Sequence, residues 1–346
     1  MMKVFMALLG MLALPVLAQD AAALLRSGET ALRHDLFEVA EDHFRRAARD
    51  GNATQSQVAE ANLGLARSLL GAGRIEEARA VLRSAPEDWP QPWEHRRQIV
   101  RADVKLQLGM AEASRAVLEA LPEERGVWEA LRLRLLARAL QQSGAPAEAD
   151  RVLVQGLARV PDQQPALTLE RAELARARGD LALSLPLYET LIRGDAVTDA
   201  AQQARVRLLE HALEERNLPE ARTLLDPLLT AASMPVWLEL VVYPLAARLL
   251  REEGNPTEAS QLLQAWEQRL GERPEAHEAR ARRAFALIQA GNLPEAQEML
   301  QRLIAARGDH PVTAAAWLHL AERLAASGQV DAAAEAYEIY LGVFLS

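Results

Sequence analysis

The sequence predicts an all-α fold, a solenoid of about nine stacked helical hairpins. Three observations favour this fold. A glycine-led pattern recurs at nearly constant spacing, apolar residues stand three and four apart almost throughout, and no run shows the alternation of a β-strand. With 346 residues, half of them apolar, the chain is long enough to bury a continuous core if the hairpins stack.

The recurring pattern is clearest in residues 289–300, QAGNLPEAQEML. Gly291 is followed five residues later by the small Ala296 and nine residues later by the large Leu300. Glycine accepts the positive φ that ends a helix, and a small and a large residue four apart lie on one face of the next helix. The pattern therefore predicts a turn that opens a second helix.

Nine copies of this pattern follow one another at a mean step of about 37 residues, within the range of repeat arrays. The turn positions are Asp35, Gly73, Gly109, Gly144, Gly179, Arg216, Gly254, Gly291 and Gly328. The residue seven before the turn is small in every copy except at Leu209, and the residue five after the turn is always alanine or serine. One small residue on each helix lets two antiparallel helices approach closely, so each copy predicts a hairpin.

The N-terminus predicts a secretory signal peptide over residues 1–18. Lys3 gives a basic start, residues 4–14 form an uncharged apolar run, and Ala18 with Val16 suits cleavage after Ala18. The run is short for a membrane span, and an uncleaved anchor is the alternative. We therefore expect residues 19–346 to form one repeat domain in the periplasm of a bacterium, with no membrane span once the signal peptide is removed.

Composition and motifs argue against several classes of protein. The net charge of −9 argues against a nucleic-acid-binding protein, and the lack of cysteine excludes disulfides and thiolate metal sites. The sequence has no dinucleotide fingerprint, P-loop, zinc-protease or nucleophile-elbow motif, and its seven histidines are scattered. We therefore predict no catalytic residues, no metal and no cofactor.

The last copy of the pattern carries the most complete set of marker residues. They are Trp317, Leu320, Ala321, Leu324, Gly328, Ala333 and Tyr337. These residues resemble the pattern of the tetratricopeptide-repeat family, and the resemblance covers about residues 20–346. It implies a right-handed solenoid whose concave face, lined by the first helix of each hairpin, binds a protein or peptide. The step exceeds the family's usual 34 residues, and Lys105 stands where an apolar core residue is expected.

The resemblance also implies candidate binding residues on the first helices. The position six residues before each turn carries, among others, Arg67, Asp103, Arg138, Arg248 and Phe285. Near these positions lie Arg134, Arg176 and Arg251, which are candidates for binding a carboxylate or an acidic segment. Two interpretations stay open: the charged residues pair with one another across repeats, or they present a polar groove to a peptide.

Two further segments are candidate contact sites. The link at residues 84–93, SAPEDWPQPW, contains Trp89 and Trp93, which either anchor a partner or fold back to fill the gap that a longer link leaves. The last predicted helix ends in a set of apolar residues: Tyr337, Ile339, Tyr340, Leu341, Val343, Phe344 and Leu345. This apolar end predicts self-association or docking on another protein, unless the helix covers these residues against the last repeat.

The sequence therefore predicts a non-catalytic, protein-binding scaffold or assembly factor that binds another envelope protein or peptide. Two alternatives remain at this stage. One is an accessory subunit of a polysaccharide-export or cell-wall machine, and the other is a hydrolase with an unrecognised site. The sequence does not name the partner.

Overall fold

The computed structural model describes residues 20–33, 36–84, 89–194, 198–230, 234–272, 276–306 and 311–344. The predicted signal peptide, the turn residue Asp35 and residues 85–88 of the proline-rich link lie outside these ranges.

Within the described ranges the chain forms eighteen α-helices, one short 3-10 turn at Pro161–Gln163 and no strand. The helices are α1 (Ala21–Arg33), α2 (Phe37–Arg49), α3 (Gln55–Gly71), α4 (Ile75–Ser84), α5 (Trp93–Gln107), α6 (Ala111–Ala120), α7 (Val127–Gln142), α8 (Pro146–Arg159), α9 (Gln164–Ala177), α10 (Leu181–Arg193), α11 (Asp199–Glu214), α12 (Leu218–Leu229), α13 (Val236–Glu252), α14 (Pro256–Leu270), α15 (Ala276–Gln289), α16 (Leu293–Ala306), α17 (Pro311–Ala326) and α18 (Val330–Phe344). The predicted all-α fold of helical hairpins is confirmed.

Eight of the nine predicted turn positions lie within the described ranges, and all eight adopt the left-handed backbone conformation that ends a helix. The seven turn glycines have φ between 74° and 86°. Arg216, which replaces glycine in the sixth repeat, has φ 57° and so keeps the same conformation. At the second turn, the amide of Gly73 donates to the Leu70 carbonyl at 3.0 Å and the amide of Arg74 to the Leu69 carbonyl at 2.8 Å. These bonds satisfy carbonyls that the end of the helix leaves without partners.

The small residue five positions after each turn lies inside its hairpin, as the pattern predicts. These residues are Ala40, Ala78, Ser114, Ala149, Ser184, Ala221, Ala259, Ala296 and Ala333, and none is more than 4% exposed. In the third hairpin the Ser114 hydroxyl donates to the Ala102 carbonyl at 2.8 Å, whereas the Ser184 hydroxyl of the fifth hairpin is buried with no hydrogen-bond partner among the described residues. A larger side chain at these positions would push the paired helices apart.

The described residues fall into two compact units, which divide between residues 164 and 165. In the first unit α1 to α8 form four hairpins around a core that includes Phe44, Leu63 and Leu82. In the second, α9 to α18 form five hairpins, and Trp266 and Trp317 are fully buried there. The odd-numbered helices, from α1 to α17, are the first helices of the hairpins, and the candidate binding residues other than Trp89 lie on them.

The apolar stretch at residues 234–245 lies largely within α13. Leu238 and Val242 on this helix are fully buried in the core of the second unit. No helix in the described ranges combines the length and the apolar character that crossing a membrane requires.

Candidate functional site

In the first unit, three candidate residues meet at one cavity on the first helices. The cavity has a volume of about 280 Å³, and its lining includes Arg67 of α3, Asp103 of α5 and Arg138 of α7. Its apolar lining includes Leu131 and Leu135. Because these polar residues occupy the same position in successive repeats, the stacking of the hairpins brings them together.

The charged residues around this cavity interact with one another. Arg67 Nη1 lies 2.7 Å from Glu29 Oε1, which belongs to the preceding repeat. Burial raises the pKa of Asp103 above its ordinary value, while a hydrogen bond from Gln107 at 3.2 Å and the positive charge of Arg138 oppose this shift. Of the two interpretations of these charged residues, pairing across repeats therefore fits Arg67, whose partner is Glu29.

Arginine and tryptophan side chains stack beside this cavity. The guanidinium carbon of Arg96 lies 4.8 Å from the ring centroid of Trp93 and 5.4 Å from that of Trp128. Arg67 lies 5.3 Å from the Trp128 centroid. Arg96 also bonds Glu124, with Nε 3.3 Å from Oε2. Trp93 is half-buried, and these cation–π contacts hold its ring within the protein surface.

Trp89, the other tryptophan of the proline-rich link, is only 8% exposed and packs against the core of the first unit. The guanidinium carbon of the buried Arg97 lies 5.0 Å from the Trp89 ring centroid. Of the two interpretations of this link, the one in which tryptophan fills the gap fits Trp89.

Arg134 and Arg176 lie in different units. Arg134 is half-buried on α7. Its positive charge lowers the pKa of Asp103 and so opposes the effect of burial. Arg176 is exposed near the end of α9, where its Nη2 lies 3.2 Å from Glu173 Oε2. Glu173 Oε1 accepts hydrogen bonds from the Tyr188 hydroxyl and from Arg207, both at 2.9 Å, so this carboxylate belongs to a connected polar network.

In the second unit, three side chains from alternate helices form a continuous stack. The guanidinium carbon of Arg251 on α13 lies 5.1 Å from the ring centroid of Phe285 on α15. The Phe285 ring in turn stacks on His319 of α17, with centroids 4.5 Å apart and planes inclined by 19°. These helices are the first helices of the last three hairpins. The stack therefore lies on the helices expected to form a binding face.

Arg251 carries a partly buried positive charge. Burial lowers the pKa of the guanidinium, and the neighbouring Arg282 and Arg248 lower it further, while Glu252 opposes them. The neighbours have their own partners: Arg248 Nε lies 2.7 Å from Glu252 Oε1, and Arg282 Nη2 lies 2.6 Å from Glu278 Oε1. Arg251 forms no ion pair with any residue that the structure describes, so its charge favours an external anion.

His319 ends the stack in a partly desolvated environment. Burial lowers its pKa from the ordinary value of 6.5, and the nearby Glu322, with Oε2 3.7 Å from Nδ1, opposes this shift. Its Nε2 atom is buried and has no hydrogen-bond partner among the described residues. The imidazole ring, stacked on Phe285, adds ring surface to the stack, whereas its buried Nε2 atom is not accessible to a ligand.

A larger cleft adjoins Arg248. Its volume is about 590 Å³, and its lining includes Glu214, Arg216 and Glu252 together with Leu213 and Leu218. Arg248 Nη2 also donates to the Leu213 carbonyl at 3.3 Å, which fixes the side chain along one wall. The Arg248 guanidinium is already bonded to a carboxylate and a carbonyl. It therefore forms part of the cleft wall and is less available than Arg251 to bind an external anion.

Trp128 and His319 were not among the site residues predicted from the sequence. Trp128 and Trp93 both stand sixteen residues before the turn glycine of their repeats. Arg251, Phe285 and His319 are separated by two equal steps of 34 residues. The two tryptophans share one position of the repeat, whereas the three stacked residues stand three, six and nine residues before their turns and so share no position.

In the described ranges, no group of three or more histidine, aspartate or glutamate side chains is placed to hold a metal ion. The cavity of the first unit and the stack of the second unit each combine a guanidinium group with an aromatic ring. Guanidinium groups bind carboxylates with charge-assisted hydrogen bonds, and the adjacent aromatic rings bind apolar groups.

Comparisons with known proteins agree with this architecture. Residues 25–92 and residues 250–315 each match a tetratricopeptide-repeat family. The apo form of the quorum sensor NprR from B. thuringiensis has a similar fold, with 11% identity, a TM-score of 0.53 and alignment over 93% of this chain and 98% of that chain. The human IFIT1 dimer with PPP-AAAA is also similar, with 12% identity, a TM-score of 0.52 and alignment over 93% of this chain and 72% of that chain. A comparison with curated proteins found no match.

Proposed function

Because the chain is a tetratricopeptide-repeat protein, we propose that it is a non-catalytic scaffold that binds an acidic peptide segment of another envelope protein. The observation that carries this proposal is the stack of Arg251, Phe285 and His319 on the first helices of the last three hairpins. The proposed site combines one cation that has no described ion-pair partner with an apolar ring surface.

The chemistry of the stack defines the segment that it would bind. A carboxylate of the partner would accept hydrogen bonds from Arg251, whose charge is partly removed from water and is therefore costly to leave unpaired. An apolar side chain next to that carboxylate would pack on Phe285 and His319. The segment is thus acidic and also carries an apolar side chain close to its acidic residue.

The cavity lined by Arg67, Asp103 and Arg138 in the first unit is the weaker candidate site for the same peptide. There the guanidinium of Arg67 already has a carboxylate partner, Glu29, at 2.7 Å. Asp103 places a further acidic group at the cavity, and an ionised Asp103 would repel an incoming carboxylate. We therefore assign the peptide to the second unit.

The compartment is part of the proposal and rests on the N-terminal sequence. A basic start, an apolar run and a small residue at the cleavage position support export to the periplasm, with the mature chain beginning near Gln19. The partner would then be a protein of the bacterial envelope.

The test is affinity capture from periplasmic extract with three baits: the mature chain, an Arg251→Gln and Phe285→Ala double variant, and an Arg302→Gln control. Arg302 is a matched arginine of the same unit, 76% exposed and paired with Glu298. We expect one envelope protein to be retained by the mature chain and the control and lost by the double variant. A synthetic acidic segment of that protein should then bind the mature chain directly.

The outcomes separate the alternatives. Retention of the same partner by the double variant, with its helical content unchanged, would exclude the stack as the site. Capture of a component of the polysaccharide-export or cell-wall machinery would identify the chain as an accessory subunit of that machine. Release of product from a substrate by the mature chain would exclude a purely non-catalytic role.

A further inference from the structure

One repeat breaks the core pattern at a single position. The fourth residue before the turn is apolar and at most 9% exposed in the eight other repeats: Ala31, Leu69, Leu140, Ala175, Ala212, Leu250, Leu287 and Leu324. In the third repeat this residue is Lys105, and it is half-buried. A lysine at a core position is costly unless its ammonium group reaches water or an anion.

Lys105 lies on the lining of an apolar groove between α4 and α5. The groove has a volume of about 280 Å³, and its floor includes Leu82 and Val104, which are 2% and 5% exposed. Its sides include Leu108 and Met110, which are 40% and 50% exposed. Two large apolar side chains that reach solvent beside a buried apolar floor form a surface that an aliphatic group can cover.

Four cations surround this groove: Arg79, Arg83, Arg101 and Lys105. Arg101 Nη2 donates to the Leu82 carbonyl at 3.3 Å, and Arg79 Nη1 lies 3.6 Å from Glu76 Oε2. Neither Arg83 nor Lys105 forms an ion pair with a residue that the structure describes. In a chain with a net charge of −9, this local excess of positive charge selects an anion.

The groove is separate from the faces described above. On α5, Val100, Asp103 and Gln107 line the inner cavity of the first unit, whereas Arg101 and Lys105 line the groove. The groove residues Arg101, Val104, Lys105 and Leu108 follow the three- and four-residue spacing of one helix face. The proposed peptide site, in the second unit, shares none of these residues.

We propose that this groove binds an aliphatic carboxylate of the fatty-acid class, with its chain on Leu82, Val104, Leu108 and Met110 and its carboxylate at Lys105. The volume lies just below the range for drug-sized ligands, about 300–1,000 Å³, and suits a single alkyl chain. Burial of each methylene group against the floor favours binding, and the lysine ammonium gives the carboxylate a charge-assisted hydrogen bond.

The first measurement is calorimetric titration of the mature chain with decanoate below its micelle concentration. We expect saturable binding of one decanoate per chain. Butyrate, which keeps the carboxylate but lacks the chain, and decanol, which keeps the chain but lacks the charge, should each bind about tenfold more weakly or worse. Absence of saturable decanoate binding would overturn the proposal.

A Lys105→Leu variant is the decisive test because it restores the residue type that the other repeats carry. It should fold at least as well as the natural chain, as thermal unfolding would show, and bind decanoate about tenfold more weakly. Arg193→Leu, at a 70% exposed arginine of the second unit, is the matched control and should bind normally. Unchanged affinity in Lys105→Leu would overturn the assignment.

Two further outcomes are informative. Arg251→Gln should bind decanoate with unchanged affinity, because that residue belongs to the proposed peptide site; a loss there would contradict the separation of the two sites. Binding of an acidic, apolar helical peptide that depends on Lys105, without binding of decanoate, would replace the fatty-acid proposal with a protein-docking surface.

Discussion

Glu129 and Arg132, one turn apart on α7, form a bidentate ion pair inside the first unit. Arg132 Nη2 donates to Glu129 Oε1 at 2.7 Å and Nε donates to Oε2 at 2.9 Å, while the two side chains are 0% and 7% exposed. Arg132 Nη1 also donates to the Leu118 carbonyl at 2.9 Å, and Arg159 Nη1 lies 3.3 Å from Glu129 Oε1. The pair therefore ties α7 to α6 and α8.

Glu129→Gln should destabilise the protein by about 3 kcal/mol, because the buried Arg132 would lose the opposite charge that compensates for its burial. The free energy of unfolding from urea titration is the measurement. Glu298→Gln removes the acid of an exposed pair with Arg302, with side chains 65% and 76% exposed, and should change stability by less than about 0.5 kcal/mol. Equal effects of the two substitutions would show that burial does not determine the strength of the pair.

The same pair predicts a pH dependence. Burial by itself would raise the pKa of Glu129, but hydrogen bonds from Arg132 and from the Glu124 amide lower it below its ordinary value of 4.5. A lowered folded-state pKa contributes stability that is present above the unfolded pKa and is lost as pH falls through the folded pKa. The stability difference between the natural chain and Glu129→Gln should therefore narrow below about pH 4.5. A constant difference down to pH 3 would contradict this pKa shift.

The hairpins could be predicted from the sequence because they depend on local and repeated constraints. A small residue such as Ala149 and a turn glycine such as Gly254 recur at fixed offsets, so nine copies reinforce one another. The pair of Glu129 and Arg132 could not be predicted in this way. It occurs in one repeat, and a Glu and an Arg three apart on a helix are usually exposed, so burial of the pair depends on the particular packing of α6 and α8 around it.

The helix crossings predict a cost for larger side chains. Ala149 and Ala296 are fully buried in their hairpins, so Ala149→Leu and Ala296→Leu should each destabilise the protein by about 1–3 kcal/mol through overpacking. Gln301→Leu adds the same side chain at an exposed position of α16 and should change stability by less than about 0.5 kcal/mol. Thermal and urea unfolding measure all three. If Gln301→Leu lowered the stability while Ala149→Leu and Ala296→Leu did not, the two alanines would not lie at the contacts between paired helices.

The turn of the sixth repeat predicts a gain in stability. Arg216 has φ 57°, a conformation that costs a side chain about 1–2 kcal/mol, whereas glycine adopts it freely. Arg216→Gly should therefore stabilise the protein by about 0.5–1 kcal/mol, after allowance for the greater flexibility of glycine in the unfolded chain. Gly254→Ala, at φ 86°, should destabilise it by about 1 kcal/mol. Gly51→Ala, where the backbone has no positive φ and the added methyl meets open space, is the control and should not destabilise the protein.

The candidate site was only partly predictable, for a geometric reason. Arg251 and Phe285 were identified from the sequence, but His319, which completes their stack, was not. Its contact with Phe285 joins positions six and nine residues before their turns. Contacts between stacked hairpins run diagonally because neighbouring helices cross at an angle, and the offset depends on the packing of each pair. The sequence repeat therefore indicates which helices form the site, but it does not indicate contacts between residues at different repeat positions, such as Phe285 and His319.

The stack also predicts how His319 titrates. Burial lowers its pKa below the ordinary value of 6.5, and Phe285 covers one face of its ring at a centroid distance of 4.5 Å. Phe285→Ala should admit water to the imidazole and move its pKa upward toward 6.5, because solvation favours the protonated form. The measurement is an NMR titration of the histidine ring protons in the natural protein and in the Phe285→Ala variant. Val330→Ala, at a 71% exposed position of α18, is the control and should leave the His319 pKa unchanged. If His319 already titrates at 6.5 in the natural chain, or if its pKa falls further in Phe285→Ala, the ring of Phe285 does not shield it from solvent.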